Sequence, residues 1–213
     1  RTADTNLCSK EIDRETIRES RIFHFGSLSL TNEPLRSATF AALEEAESGG
    51  CLISFDPNFR STLWSCADEA RTRIFSVLNY VDIIKISEEE AILLTGERAP
   101  EKAAASLADR GIGTVFVTLG KKGAYFRVKG GGGFIPASNH PCVDATGAGD
   151  AFTAAVLSRL AVDGTEKFCF KSGAAEMEEV VRFAVQIAGE TAARKGAFPI
   201  LPPEDCKSRI ENR

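Results

Sequence analysis

Short apolar runs alternate along the chain with longer stretches in which apolar residues return every three or four positions. The runs Arg21–Phe25, Cys51–Phe55, Val81–Ile86 and Thr114–Thr118 are rich in Ile, Val and Phe. They do not alternate strictly between apolar and polar, which is the pattern of strands covered on both faces. Helical patterns lie between them: Pro34–Ser48, closed by Gly49 and Gly50; Ser65–Asn79, with Ser65 as N-cap; Ser87–Thr95, stopped by Gly96; and Glu101–Arg110. Glycine just past a periodic stretch supplies the left-handed residue that ends a helix, and serine at its start satisfies free amides. After Thr118 the spacing predicts a hairpin, Ala124–Val128 with Phe134–Pro136, turned at a loose tip over Gly130–Gly133. Two more helices are predicted, Gly149–Val162 and Met177–Lys195.

Strands that alternate with helices predict an α/β fold, a mostly parallel sheet with helices on both faces. Ligands of such sheets bind beyond the carboxyl ends of the strands, so the segments after each apolar run are where chemistry is sought. Neither an internal repeat nor a linker interrupts the pattern, and residues 1–213 read as one domain.

Composition narrows the function classes. A net charge of −4 gives no sign of the basic face of a nucleic-acid binder. No apolar run is long enough to span a bilayer, and the opening Arg1-Thr2-Ala3-Asp4 has no signal-peptide core. The absence of an initiating Met fits a fragment or a processed start. Six scattered cysteines form no C-x-x-C pair, which argues against zinc and thioredoxin-type sites. They are expected to be buried thiols of a cytoplasmic protein. No G-x-G-x-x-G follows the first strand, so a dinucleotide-binding module is a poor reading.

The chemistry concentrates in Asp144-Ala145-Thr146-Gly147-Ala148-Gly149-Asp150-Ala151-Phe152. Phe152, Val156, Leu157 and Leu160 follow at helical spacing, so the glycines lie at the mouth of a helix. Small residues let a ligand approach the main chain, and the free amides of a first turn form an anion site. Asp150 is either a helix-start preference or, beside a phosphoryl group, a general base. Taken by residue type alone, the two readings weigh about equally.

The whole string resembles the C-terminal signature of the ribokinase/PfkB carbohydrate kinases, D-T-x-G-A-G-D-x-F, and departs from it only at Ala145. The resemblance implies a ribokinase-like fold in which Asp150 is the catalytic base. It implies that Gly147, Ala148 and Gly149 form an anion hole, that Thr146 touches the nucleotide, and that Asp144 serves the metal. Val117-Thr118-Leu119-Gly120-Lys121-Lys122-Gly123 is similar to the family's nucleotide segment V-T-L-G-x-x-G, which puts Thr118, Gly120 and Gly123 at the ATP site.

Ser87-Glu88-Glu89-Glu90 stands where the family has N-x-x-E, whose Glu helps to hold Mg²⁺. Ser87 with Glu90 is also a capping box, and the two roles are compatible. Asp56-Pro57-Asn58-Phe59-Arg60, with Leu63-Trp64, resembles the D-P-N-x-R…L-W of fructokinases, in which Arg60 would face the sugar. Trp64 reads as packing. His24-Phe25-Gly26-Ser27 is similar to their H-F-G-S, and His24 is read as a structural residue of its strand. Arg1 with Ala3-Asp4 resembles R-x-x-A-D, which implies that Arg1 reaches the substrate. Lys195-Gly196-Ala197 resembles the closing loop beside the adenine and a monovalent cation site. The helix before it has Ala184-Val185 where the family has Ala-Asn.

The resemblance therefore implies an ATP-dependent sugar kinase with Mg²⁺ and a monovalent cation such as K⁺. Its partners would be ATP and a small sugar, with neither nucleic acid nor membrane among them. It further implies that the family's first strands, lid and sugar-gripping Asp lie before Arg1. Family members pair through that lid, so a homodimer is expected of the complete protein. Fructose is the favoured acceptor. 2-keto-3-deoxygluconate, tagatose 6-phosphate and nucleosides are the rivals. A non-catalytic nucleotide-binding remnant is the other reading, motivated by Ser87 and Val185.

Overall fold

The computed structural model describes residues 3–162 and 173–197. Its regular elements are α1 (Arg14–Glu19), β1 (Ile22–Gly26), α2 (Leu35–Gly49), β2 (Leu52–Asp56), α3 (Ala67–Phe75), β3 (Ile83–Ser87), α4 (Glu88–Thr95), α5 (Pro100–Ala108), β4 (Thr114–Thr118), β5 (Gly123–Val128), β6 (Gly131–Pro136), α6 (Ala148–Val162) and α7 (Ala174–Ala192). The six strands form one sheet in chain order. Strands β1 to β4 are parallel, and β5 and β6 add to β4 as an antiparallel hairpin. The hairpin makes the sheet mixed, a common finish for an otherwise parallel sheet.

Alternate residues of each strand feed two separate cores. Phe25, Ile53, Phe55, Ile84, Ile86, Val115 and Val117 pack against α2, α3, α4 and α5. Ile83, Phe116, Phe126 and Ile135 pack against Phe152 and Val156 of α6 and Met177 and Val181 of α7. Each fully buried Phe or Ile contributes about 1.5–3 kcal/mol.

Helix ends follow the local chemistry. Gly50 and Gly96 take left-handed φ values of 83° and 77° and cap α2 and α4. Helix α3 departs from expectation. It ends at Phe75 and continues as a 3₁₀ turn over Leu78–Tyr80. Ile74, Val77, Leu78 and Val81 are all buried, so one helix-like stripe runs through both pieces and conceals the break. Its N-cap is Cys66, not Ser65. The Cys66 sulfur accepts the Glu69 N–H at 3.4 Å, and the Ser65 hydroxyl donates to the Glu69 carboxylate.

The glycine run is also not a loose tip. Only Lys129-Gly130 forms the turn, with Gly130 at φ 106°, and Gly131–Gly133 belong to β6. A Cβ at Gly132 would come 2.6 Å from the Phe126 carbonyl oxygen, and one at Gly133 2.9 Å from the Phe126 ring. The strand needs these glycines so that Phe126 can lie against it.

Helix α1 has no apolar stripe and no buried residue, and its pattern does not announce it. The Asp13 cap and the ion pairs from Arg14 and Arg18 to Glu45 of α2 hold it in place. Among the described cysteines Cys51 is buried, but Cys66 and Cys142 are exposed, which corrects the expectation of uniformly buried thiols. Among the described residues no helix is long and apolar enough to cross a membrane.

Candidate active site

The carboxyl ends of β1 and β2 and the first turn of α6 enclose a cleft of about 500 Å³. His24, Asp56, Asn58, Arg60 and Asp150 line it, together with the partly exposed Leu28 and Leu63. Residues 58 and 60 reach it because the chain turns sharply after β2. Asp56 Oδ1 accepts the Asn58 N–H at 3.1 Å, and Asn58 takes a left-handed backbone with φ 44°. Ser27 N–H donates to the Pro57 carbonyl at 3.2 Å and ties β1 to that turn.

Glu90 anchors the same turn from the other side. It is 6% exposed, and Oε1 accepts the Phe59 N–H at 2.7 Å. Its Oε2 accepts the Ser87 N–H at 2.7 Å while Ser87 Oγ accepts the Glu90 N–H at 3.2 Å, a complete capping box. The carboxylate thus holds the start of α4 and the residue next to Arg60 at once.

At the mouth of α6, Gly147 has φ 79°, and a Cβ there would lie 2.7 Å from the Ala197 carbonyl oxygen. Glycine is required on both counts. Ala148 N–H donates to the Ala145 carbonyl at 3.2 Å and Ala151 N–H to the Gly147 carbonyl at 2.8 Å. The amides of Gly147 and Gly149 have no intramolecular acceptor among the described residues. Free N–H groups at the positive end of a fifteen-residue helix are suited to an anion. Asp150 stands exposed beside them, in the cleft.

Asp144 braces this turn. Its Oδ1 accepts the Thr146 N–H and its Oδ2 the Gly196 N–H, both at 3.0 Å. The Thr146 hydroxyl and N–H, and then the Gly196 N–H, hold its carboxyl below the usual carboxylate range. Val143 and Asp144 donate to the Ala192 carbonyl at 2.8 and 3.0 Å, which fastens the end of α7 to the same loop. Lys195 is exposed and Gly196 has φ 91°.

The nucleotide segment lies at the end of β4, outside the lining of the cleft. The Thr118 hydroxyl donates to the Ile86 carbonyl at 3.3 Å. Gly120, at φ 55°, opens a 3₁₀ turn and has free space around it. Gly123 has a packing reason of its own, since a Cβ there would be 2.0 Å from the Ile135 carbonyl oxygen. Ala184 and Val185 are buried in the α7 core. Trp64 is buried, as packing requires. Arg1 lies outside the described residues.

Glu90 and Asp144 do not converge on a metal cage: among the described residues no group of three or more His, Cys, Asp or Glu could hold an ion. Each carboxylate already accepts two N–H groups and keeps lone pairs for a metal-bound water. That donor set fits Mg²⁺ carried largely by nucleotide phosphates and water.

His24 corrects the sequence reading. It is exposed and lines the cleft, with Nδ1 3.1 Å from Ser54 Oγ. Partial desolvation against the sheet lowers its pKa, the nearby Asp56 and Asp150 carboxylates oppose the shift, and Lys85 adds to it. Sequence reasoning also passed over Lys85, which is buried and donates to Asp56 Oδ2 at 2.9 Å. The available signal was a charge inside the apolar run Val81–Ile86.

The chain is similar to proteins of a known family. The model of the pfkB family carbohydrate kinases matches residues 2–203. A protein named probable fructokinase-3 from Arabidopsis thaliana is 39% identical over 204 residues, covering 95% of this chain and 58% of that protein. The chain spans about three-fifths of the length of the curated relatives it matches. A double mutant of Vibrio cholerae O395 fructokinase, solved with fructose, ADP and a potassium ion, superposes with a TM-score of 0.84 at 32% identity, covering 97% of this chain and 65% of that one. Aminoimidazole riboside kinase from Salmonella enterica, solved with its riboside and an ATP analogue, gives 0.78 at 27% identity, covering 96% and 66%.

Proposed function

The chain belongs to the pfkB family of carbohydrate kinases, and from that membership we propose that the protein transfers the γ-phosphoryl group of ATP to a sugar hydroxyl, with fructose as acceptor. One observation carries the reading. Asp150 opens on the same cleft as Arg60, next to the unengaged amides of Gly147 and Gly149.

The Asp150 carboxylate accepts the proton of the acceptor hydroxyl. The oxygen attacks the γ-phosphorus as its bond to the ADP oxygen breaks. The Gly147 and Gly149 amides hold the transferred group and need no reorganisation as its charge is redistributed. Ala148 contributes the backbone geometry of the turn, since its own N–H is engaged. Arg60 orients the sugar from the β2 side. Thr118, Gly120 and Thr146 border the nucleotide, and Gly123 shapes the hairpin beside it. Lys195 and Gly196 close the adenine side. Glu90 and Asp144 are the residues that would hold Mg²⁺ through water. Mg²⁺ bound there neutralises charge on the phosphate oxygens. Potassium, an ion bound in the Vibrio relative, would sit beside the 195–197 loop.

Fructose is favoured over a riboside by the names of the relatives and by the Asp56–Arg60 and His24–Ser27 strings. The test is Asp150→Asn in the full-length protein, with ADP release measured against fructose, 2-keto-3-deoxygluconate and nucleosides. Turnover should fall about 10²–10⁴-fold while ATP still binds. Near-normal turnover in the variant would overturn the assignment. Failure of the wild type on every acceptor would favour a nucleotide-binding role alone.

A further inference from the structure

The α6 side of the sheet holds a buried ion pair that the mechanism above leaves unused. Lys85 of β3 and Asp56 of β2 have side chains 11% and 6% exposed, with Nζ 2.9 Å from Oδ2. The ammonium also lies against the anion turn, because a Cβ at Gly149 would be 3.1 Å from Lys85 Nζ. Asp56 and Asp150 line one cleft. Two carboxylates in a partly desolvated cleft raise each other's proton affinity and repel a phosphoryl group.

We propose that Lys85 is a positioning residue for the transfer: it cancels the charge of Asp56 beneath the anion turn, so that Asp150 and the phosphoryl group do not share the cleft with an unpaired second carboxylate. The inference rests on the phosphotransfer reading. Asp150 is faced by His24, Asp56 and Arg60 across the cleft, by Lys85 under Gly149, and by the N-terminus of its own helix. Of these, Lys85 is the cation bonded to Asp56.

The experiment compares Lys85→Met, Lys85→Gln and the double variant Lys85→Met/Asp56→Asn in the full-length protein. Folding is followed by circular dichroism, and kcat, the KM for ATP and the pH profile of kcat/KM are measured. Lys85→Met should lower kcat about tenfold or more and move the acidic limb upward by about one pH unit, with a smaller rise in the KM for ATP. Lys85→Gln keeps a donor for Asp56 without the charge. It should shift the limb in the same direction, and it carries the test should the Met variant not fold. The double variant has neither charge, and its limb should return towards wild type. A purely structural lysine would lower Tm and leave the limb in place. An active wild type with an unmoved limb in Lys85→Gln overturns this inference alone. A wild type that transfers no phosphate to any acceptor defeats the phosphotransfer reading instead.

Discussion

The two faces of the sheet are built differently from the same strands. On the face covered by α2 to α5, β1 to β4 present Phe25, Ile53, Phe55, Ile84, Ile86, Val115 and Val117, all buried and all apolar. On the other face the same strands present His24, Ser54, Asp56 and Lys85 before the apolar surface resumes with Ile83, Phe116 and Phe126 under α6 and α7. A parallel strand covered on both sides is expected to be apolar on both. Apart from Thr114 at the start of β4, the exceptions cluster where α6 begins, and His24 and Asp56 line the cleft. One face stabilises the fold. The other gives up part of its apolar surface to hold charges in place.

The largest effect that would test this division lies on the apolar face. Phe55 is fully buried, and its ring is 4.5 Å from that of Phe25. Phe55→Ala should cost about 3–5 kcal/mol in urea denaturation. A loss under about 1 kcal/mol would mean that this face is not a continuous core.

A smaller effect sharpens the boundary on the mixed face. Thr114 is fully buried there, and its hydroxyl is the one buried side-chain polar atom without a partner among the described residues. Its register neighbour Ile83 and the next residue on its face, Phe116, are both apolar. Thr114→Val should stabilise by about 1 kcal/mol, since no hydrogen bond is lost. A destabilisation of similar size would show that the polar zone reaches further along β4.

The smallest effect concerns the solvent side of the site. The Asp144 carboxyl is held below its ordinary range by Thr146 and Gly196, so its folded pKa lies under its unfolded one. The stability it contributes is present above the unfolded value, roughly pH 4, and is lost as pH falls through the folded one. Asp144→Asn should therefore flatten the acid branch of stability against pH by lowering stability at neutral pH slightly and leaving the most acidic pH little changed. Identical acid branches for the two proteins would refute this.

Local chemistry was legible where it acts over a few residues. Gly50 and Gly96 end their helices because each follows a periodic stretch, and Ser87 caps α4 through Glu90. The turn at Gly147 could be read because small residues stand directly before Phe152, Val156, Leu157 and Leu160 at helical spacing. Helix α1 escaped because charge pairs hold it and no apolar stripe does. The glycines of β6 misled because their reason, the Phe126 ring, belongs to another strand. His24 was placed in the right strand, but its sequence neighbours do not say which face is left uncovered.

The sequence by itself determined the order of strands and helices, where most helices end, and which turn bares its amides, since periodicity and backbone preference act over a few residues. Only the tertiary structure decided that Asp56 meets Lys85 across twenty-nine positions, that Glu90 reaches the turn before Arg60, and that Asp150 and Arg60 open on one cleft. Those contacts depend on strand register and on how far α6 and α7 extend over the sheet, and both follow from packing among segments distant in the chain.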